Sequence, residues 1–167
     1  MTGKRYMIVV TLIAMGTIGI GAKSASAAAG HQVPFRASYS GRAVFTSKTT
    51  ARFTGTGIAS HLGRSTNVNN ITVLGPVGCP GGEGFANKNV ETLTAANGDK
   101  LVLTGPRDVG CPTRPGVVHG TGDWTVTSGT GRFAGATGQG IFDGGANFNK
   151  GTFSFELTGT ISAPGGN

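Results

Sequence analysis

The sequence predicts an all-β protein, a single antiparallel β-barrel of about eight strands, with a β-sandwich as the runner-up. Three observations lead there. Apolar residues alternate with polar ones in short runs, glycine makes up 31 of 167 residues, and beyond the N-terminal leader no window carries apolar residues at i, i+3, i+4 and i+7. The ordinary glycine level is about 7%. Strong helix formers are scarce, while Phe, Val, Leu and Ile recur often enough to bury a core, which disfavours both a helical fold and a disordered chain.

The N-terminal residues have the three-part layout of a secretory signal peptide: basic Lys4 and Arg5, an apolar stretch from Tyr6 to Gly21, and the small-residue step Ala25-Ser26-Ala27. Cleavage is expected between Ala27 and Ala28. The expected layout is a leader over 1–27, a flexible mature N-terminus over 28–34, a barrel over 35–163 and a tail over 164–167. Such a product is secreted or periplasmic and keeps no transmembrane segment after cleavage.

The strands follow in order. Phe35, Ala37, Tyr39, Gly41, Ala43 and Phe45 share one face of the first, with Arg36, Ser38, Ser40 and Arg42 on the other. Weaker strands are expected over Ala51–His61, Ser65–Leu74, Asn89–Ala96, Lys100–Gly105, Val117–Thr127 and Arg132–Phe142. The last strand is the clearest, because Phe153, Phe155, Leu157, Gly159 and Ile161 alternate with Thr and Ser residues and Glu156. Asn97-Gly98-Asp99 supplies hairpin turn chemistry. Glycines within the strands permit the bends and close approaches that a tightly curved small barrel needs, and closure removes the exposed edges that make a sheet aggregate.

Two similar segments, Gly75-Pro-Val-Gly-Cys79-Pro80 and Gly105-Pro-Arg-Asp-Val-Gly-Cys111-Pro112, read as loops because of their Gly and Pro. Cys79 and Cys111 are the two cysteines, and an exported chain with an even count pairs them as a disulfide.

The formal net charge is +7, and loss of Lys4, Arg5 and Lys23 with the leader lowers it to +4. The basic residues are scattered singly, without the aromatic-interleaved cluster of a nucleic-acid surface, so no nucleic-acid partner is expected. His31, His61 and His119 make no metal-ligand spacing, and neither a metal nor a cofactor is expected. His119, Thr121 and Asp123 share a face by parity and read as a polar outer surface. Ser60 and His61, as strand neighbours, would point to opposite faces. No nucleophile elbow and no close carboxylate pair is present, so no catalytic residue is assigned.

Gly129-Thr-Gly131-Arg-Phe-Ala134 spells the dinucleotide fingerprint G-x-G-x-x-A, but the glycines that follow forbid the helix on which a pyrophosphate would rest. The expected reading is a tight barrel turn made by Gly129 and Gly131, with Phe133 as a core anchor and Arg132 facing away. The run from Ser128 to Gly140, followed by Gly151-Thr-Phe-Ser-Phe-Glu-Leu-Thr-Gly-Thr160, resembles the C-terminal signature of allene oxide cyclase and dirigent proteins. In those families the segment joins consecutive strands of an eight-stranded antiparallel barrel. The chain also resembles small exported bacterial proteins of that barrel type, with a similar Ala59-Ser-His-Leu-Gly63 step. The likeness covers Ser128 to Ile161 and implies the fold. The families' catalytic and ligand-handling residues lie largely outside it, so none is carried over.

The functional expectation is a non-catalytic exported barrel whose apolar interior or mouth holds a small hydrophobic ligand, with Tyr39, Trp124, Phe153 and Phe155 as ligand-facing candidates. The resemblance implies an enzymatic alternative, a cyclase, isomerase or dirigent-type coupling guide. A third expectation is a cell-envelope or matrix interaction protein that meets an envelope polymer through its Thr-rich face and its cysteine-bearing segments.

Overall fold

A computed structural model of the chain describes residues 31–165. Its strands are β1 (Gln32–Phe45), β2 (Thr50–Ala59), β3 (Gly63–Cys79), β4 (Gly82–Ala95), β5 (Lys100–Arg114), β6 (Val117–Gly129), β7 (Gly138–Asn147) and β8 (Thr152–Ser162). Each pairs antiparallel with its sequence neighbours, and β8 returns to pair with β1, closing the barrel. The closed order settles the choice between barrel and sandwich. The expected leader and the expected cleavage step between Ala27 and Ala28 lie outside the described residues.

Alternation puts the core where the sequence places it in β1 and β8. Phe35, Ala37, Tyr39 and Ala43 are buried from β1, and Phe153, Phe155, Leu157 and Ile161 from β8. The facing residues of β1 and β8 meet directly, Tyr39 opposite Phe155 and Ala37 opposite Leu157. Leu93, Leu101, Leu103 and Trp124 complete the core from β4, β5 and β6.

Four expectations need correction. The first strand begins at Gln32, and Gln32, Val33 and Pro34 pair with Ser162, Ile161 and Thr160, so this part of the supposedly flexible 28–34 stretch belongs to the barrel. The two Gly-Pro segments are not loops but the outer halves of β3 and β5. Their prolines survive there because the ladder is already broken nearby: the register shifts between Val73 and Gly75, between Thr104 and Val109, and between Pro112 and Arg114. The strand expected over Arg132–Phe142 is displaced to Gly138–Asn147, and Gly131–Phe133 forms one 3-10 turn. Ser60 and His61 lie in the β2–β3 turn, where strand parity does not apply, and His61 has φ 65°.

The two ends of the barrel differ. At the end carrying the β2–β3, β4–β5 and β6–β7 connections, Phe133 and Leu62 tuck inward from their turns and are 1% and 5% exposed, filling the interior beside Phe35 and Ile161. Gly129 ends β6, Gly131 takes φ 58°, and Arg132 turns outward to Asp99, with Nε to Oδ2 at 3.6 Å. A three-residue turn offers no helix N-terminus to a phosphate.

The opposite end carries long β3–β4 and β5–β6 hairpins, and there Cys79 and Cys111 stand at disulfide distance, with Cα atoms 5.7 Å apart. The bridge joins β3 to β5 across β4, over Gly84, where a Cβ would overlap the Cys79 sulfur. With a sequence separation of 32, the chain-entropy model gives about 3–4 kcal/mol of stabilisation. The double variant C79S/C111S is expected to lose that amount in denaturant unfolding. Two free sulfhydryls titrating in the native, unreduced protein would contradict the bridge.

Candidate functional site

The end with the long hairpins is hollow. Its cavity leaves about 70 Å³ of room for the centres of water-sized molecules, and Phe45, Phe53, Phe85, Phe142, Phe148 and Phe155 contribute to its wall. Asn69, Asn87, Asn89 and Asp108 form a polar strip on the β3, β4 and β5 side. An apolar hollow with a few converging polar groups is the usual form of a small-molecule site.

Strand irregularity brings Asp108 into the strip. Leu101, Leu103 and Gly105 face inward from β5, so strict alternation would turn Asp108 outward. Thr104 pairs with Thr125 and Val109 with Thr121, however, which leaves β5 one residue longer than β6 over this stretch. That bulge, holding Pro106 and Arg107, re-aims Asp108 into the barrel. Space for its carboxyl comes from missing side chains, since a Cβ at Gly122 would overlap it and one at Gly105 would lie 2.8 Å from Oδ1.

Asp108 is 4% exposed, and Oδ2 accepts a hydrogen bond from the Asn89 amide. Oδ1 is buried without a hydrogen-bond partner among the described residues, as is Oδ1 of Asn69. Loss of hydration, more than the nearby Asp123 charge, pushes the Asp108 carboxyl up to about 7 against the Asn89 hydrogen bond. One inward step deeper on β4 lies Glu91, also 4% exposed, which accepts from the Asn67 amide. Burial raises it to about 8, and the Asp108 charge adds to the effect. Burial therefore raises two interior carboxyl groups, Asp108 to about 7 and Glu91 to about 8.

The aromatic candidates fall at different depths. Phe155 lines the cavity. Phe153 stacks on Phe53 and on Phe155, with centroids 5.0 and 5.5 Å away, as part of the wall's support. Tyr39 lies below Phe155, its hydroxyl 2.6 Å from that of Ser65, and burial pushes it up to about 12. Trp124 is 3% exposed, edge-on to Phe35, and donates from Nε1 to the Ile141 carbonyl at 3.0 Å. Neither Tyr39 nor Trp124 is part of the cavity lining.

The other chemical candidates stay apart. His119 faces outward, 3.5 Å from Asp143. Ser60 and His61 each bond the β1 backbone, at the carbonyls of Arg36 and Pro34. No group of three or more potential metal ligands assembles among the described residues, and none of the helices described is long and apolar enough to cross a membrane.

Asn67, Asn69, Glu91 and Asp108 escaped the sequence reading because polar residues were assigned to the outer face. The signal that could have found three of them is parity: Asn67 and Asn69 alternate in step with Ile71 and Val73, and Glu91 with Leu93 and Ala95. Comparison of the chain with family models, curated proteins and solved structures finds no match.

Proposed function

We propose that the barrel binds a small, largely apolar molecule with one hydrogen-bonding group, seated among the phenylalanines with that group on Asp108. One observation carries the reading: Asp108, whose buried Oδ1 has no hydrogen-bond partner among the described residues, belongs to the lining of an aromatic cavity. An unpaired buried polar atom costs roughly 1–3 kcal/mol, so a ligand atom that completes its hydrogen bonding gains affinity from the defect already present. The phenylalanines supply apolar area and stacking surfaces for a flat or branched hydrocarbon body.

A thermal-shift screen of fatty acids, phenolics and terpenoids tests the proposal. A carbonyl- or ether-bearing compound accepts a proton-mediated hydrogen bond from neutral Asp108, so its affinity is expected to fall as pH rises through about 7. Asp108→Leu removes the partner and is expected to weaken such a compound by roughly tenfold, the worth of about one good hydrogen bond. Absence of any shift across the three classes counts against binding.

A second reading, cyclase or isomerase chemistry, is favoured by the two raised carboxyls, Glu91 and Asp108, within one interior. A neutral carboxylic acid beside an apolar cavity can serve as general acid to a substrate oxygen. The resemblance of the Ser128–Ile161 region to allene oxide cyclase and dirigent proteins supports the same reading. Asp108→Asn separates the two: a binder keeps its ligand without turnover in either form, whereas an enzyme loses turnover while retaining its substrate.

A further inference from the structure

We propose that the β1–β2 side of the open end docks on an anionic membrane surface, with the cavity mouth turned toward the lipid. This inference does not depend on the cavity's ligand. At the end of β1, Val44 and Phe45 are consecutive and 50% and 52% exposed. Phe45 packs against Phe148 with the rings tilted by 30° and centroids 4.5 Å apart, and both rings reach the cavity lining. The apolar tip is thus also the lip of the hollow.

Cations surround that tip. Arg52 is the cross-strand partner of Val44, Arg42 pairs with Thr54 and Thr152, and Lys48 sits in the intervening turn. The Ala43 N–H donates to the Gly151 carbonyl at 2.9 Å, which holds the β7–β8 turn and its Lys150 beside the same strand end. None of the four has an ion-pair partner among the described residues. Glu156 on neighbouring β8 pairs with Ser38, four positions down β1 from Arg42.

The turn is stiffened by its own hydroxyls, with Thr46 and Ser47 bonded to Thr50 at 2.7 and 2.8 Å. An ordered tip loses little entropy on docking. Exposed apolar side chains enter the headgroup boundary, and flanking basic residues meet anionic headgroups, each contributing on the order of 1 kcal/mol. A soluble polyanion would use the cations and leave Val44 without a role.

The test is flotation with phosphatidylcholine vesicles made with and without phosphatidylglycerol. All eight strands close within residues 31–165, so this barrel is used without the leader, whose apolar stretch would bind lipid by itself. Binding is expected only with the anionic lipid, and to weaken with salt. K48A/K150A should weaken it about thirtyfold, since two cations are lost, and Val44→Ser should weaken it severalfold. R64A/K100A, at the filled end, should leave it unchanged. Absence of binding, equal binding to neutral vesicles, or equal loss in R64A/K100A would overturn the proposal. So would binding to soluble polyphosphate as tight as to vesicles and indifferent to Val44→Ser.

Discussion

Phe133→Ala is expected to lower the stability of the barrel by about 3–5 kcal/mol, the usual result of truncating a fully buried Phe. Phe133 is 1% exposed and belongs to the core cluster, although it comes from a turn rather than a strand. Its removal leaves a void at the end of a closed cylinder whose β-ladders limit inward collapse. The turn itself should persist, because its own backbone bonds, from the Phe133 and Ala134 N–H groups to the Thr130 and Gly131 carbonyls, do not involve the ring, and from outside the Thr130 N–H donates to the Lys100 carbonyl and Arg132 reaches Asp99. Arg132→Ala, which removes that half-exposed ion pair and the guanidinium lying 5.2 Å from the Phe133 ring centroid, should cost no more than about 1–2 kcal/mol. Urea unfolding of both variants checks the contrast, and similar losses would mean that Phe133 is not the plug of this end.

Glu91→Gln is expected to stabilise the protein, by about 3–5 kcal/mol at pH 8 and above. In the folded chain Glu91 keeps its proton up to about pH 8, whereas in the unfolded chain it loses it near 4.5. Between those values the native state binds more protons than the unfolded state, so wild-type stability falls as pH rises through the window and levels off above it. Each unit of separation corresponds to about 1.36 kcal/mol. Gln removes the proton linkage and keeps an oxygen for the Asn67 amide. The benefit should be absent below about pH 4, where both states of wild-type Glu91 are protonated. Thermal unfolding from pH 4 to pH 9 measures it, and parallel curves for variant and wild type would show that Glu91 is ionised in the fold.

How far the molecule is legible in its sequence differs between its two halves. β1 and β8 announce themselves because aromatic residues alternate there with Arg, Ser and Thr, and a one-residue slip would turn every ring outward. The inward Phe133 and outward Arg132 come instead from the 3-10 turn over Gly131–Phe133, where strand alternation does not operate. β3 and β5 are harder, because Gly and Pro at 75–76, 105–106 and 112 punctuate them as loops do, while the bulges that absorb these residues leave no mark in a period-two pattern. Asp108 was hidden for that reason: its inward direction depends on the extra residue in β5, and its space on the bare Cα of Gly122 across the ladder. The hollow itself could not be read from composition, since whether a barrel is filled depends on how Phe85, Phe142 and Phe155 lie against one another in three dimensions.

The raised carboxyls, the aromatic cavity and the Asp108 oxygen that has no partner among the described residues form one account, in which the polar strip is tolerated because a ligand completes it. Mapping a screening hit by intermolecular nuclear Overhauser effects is its most direct test. The account predicts contacts from the ligand to the rings of Phe85, Phe142 and Phe155 and none to Trp124 or Tyr39. Contacts to Trp124, or to outer-face residues such as Ile58, would contradict it.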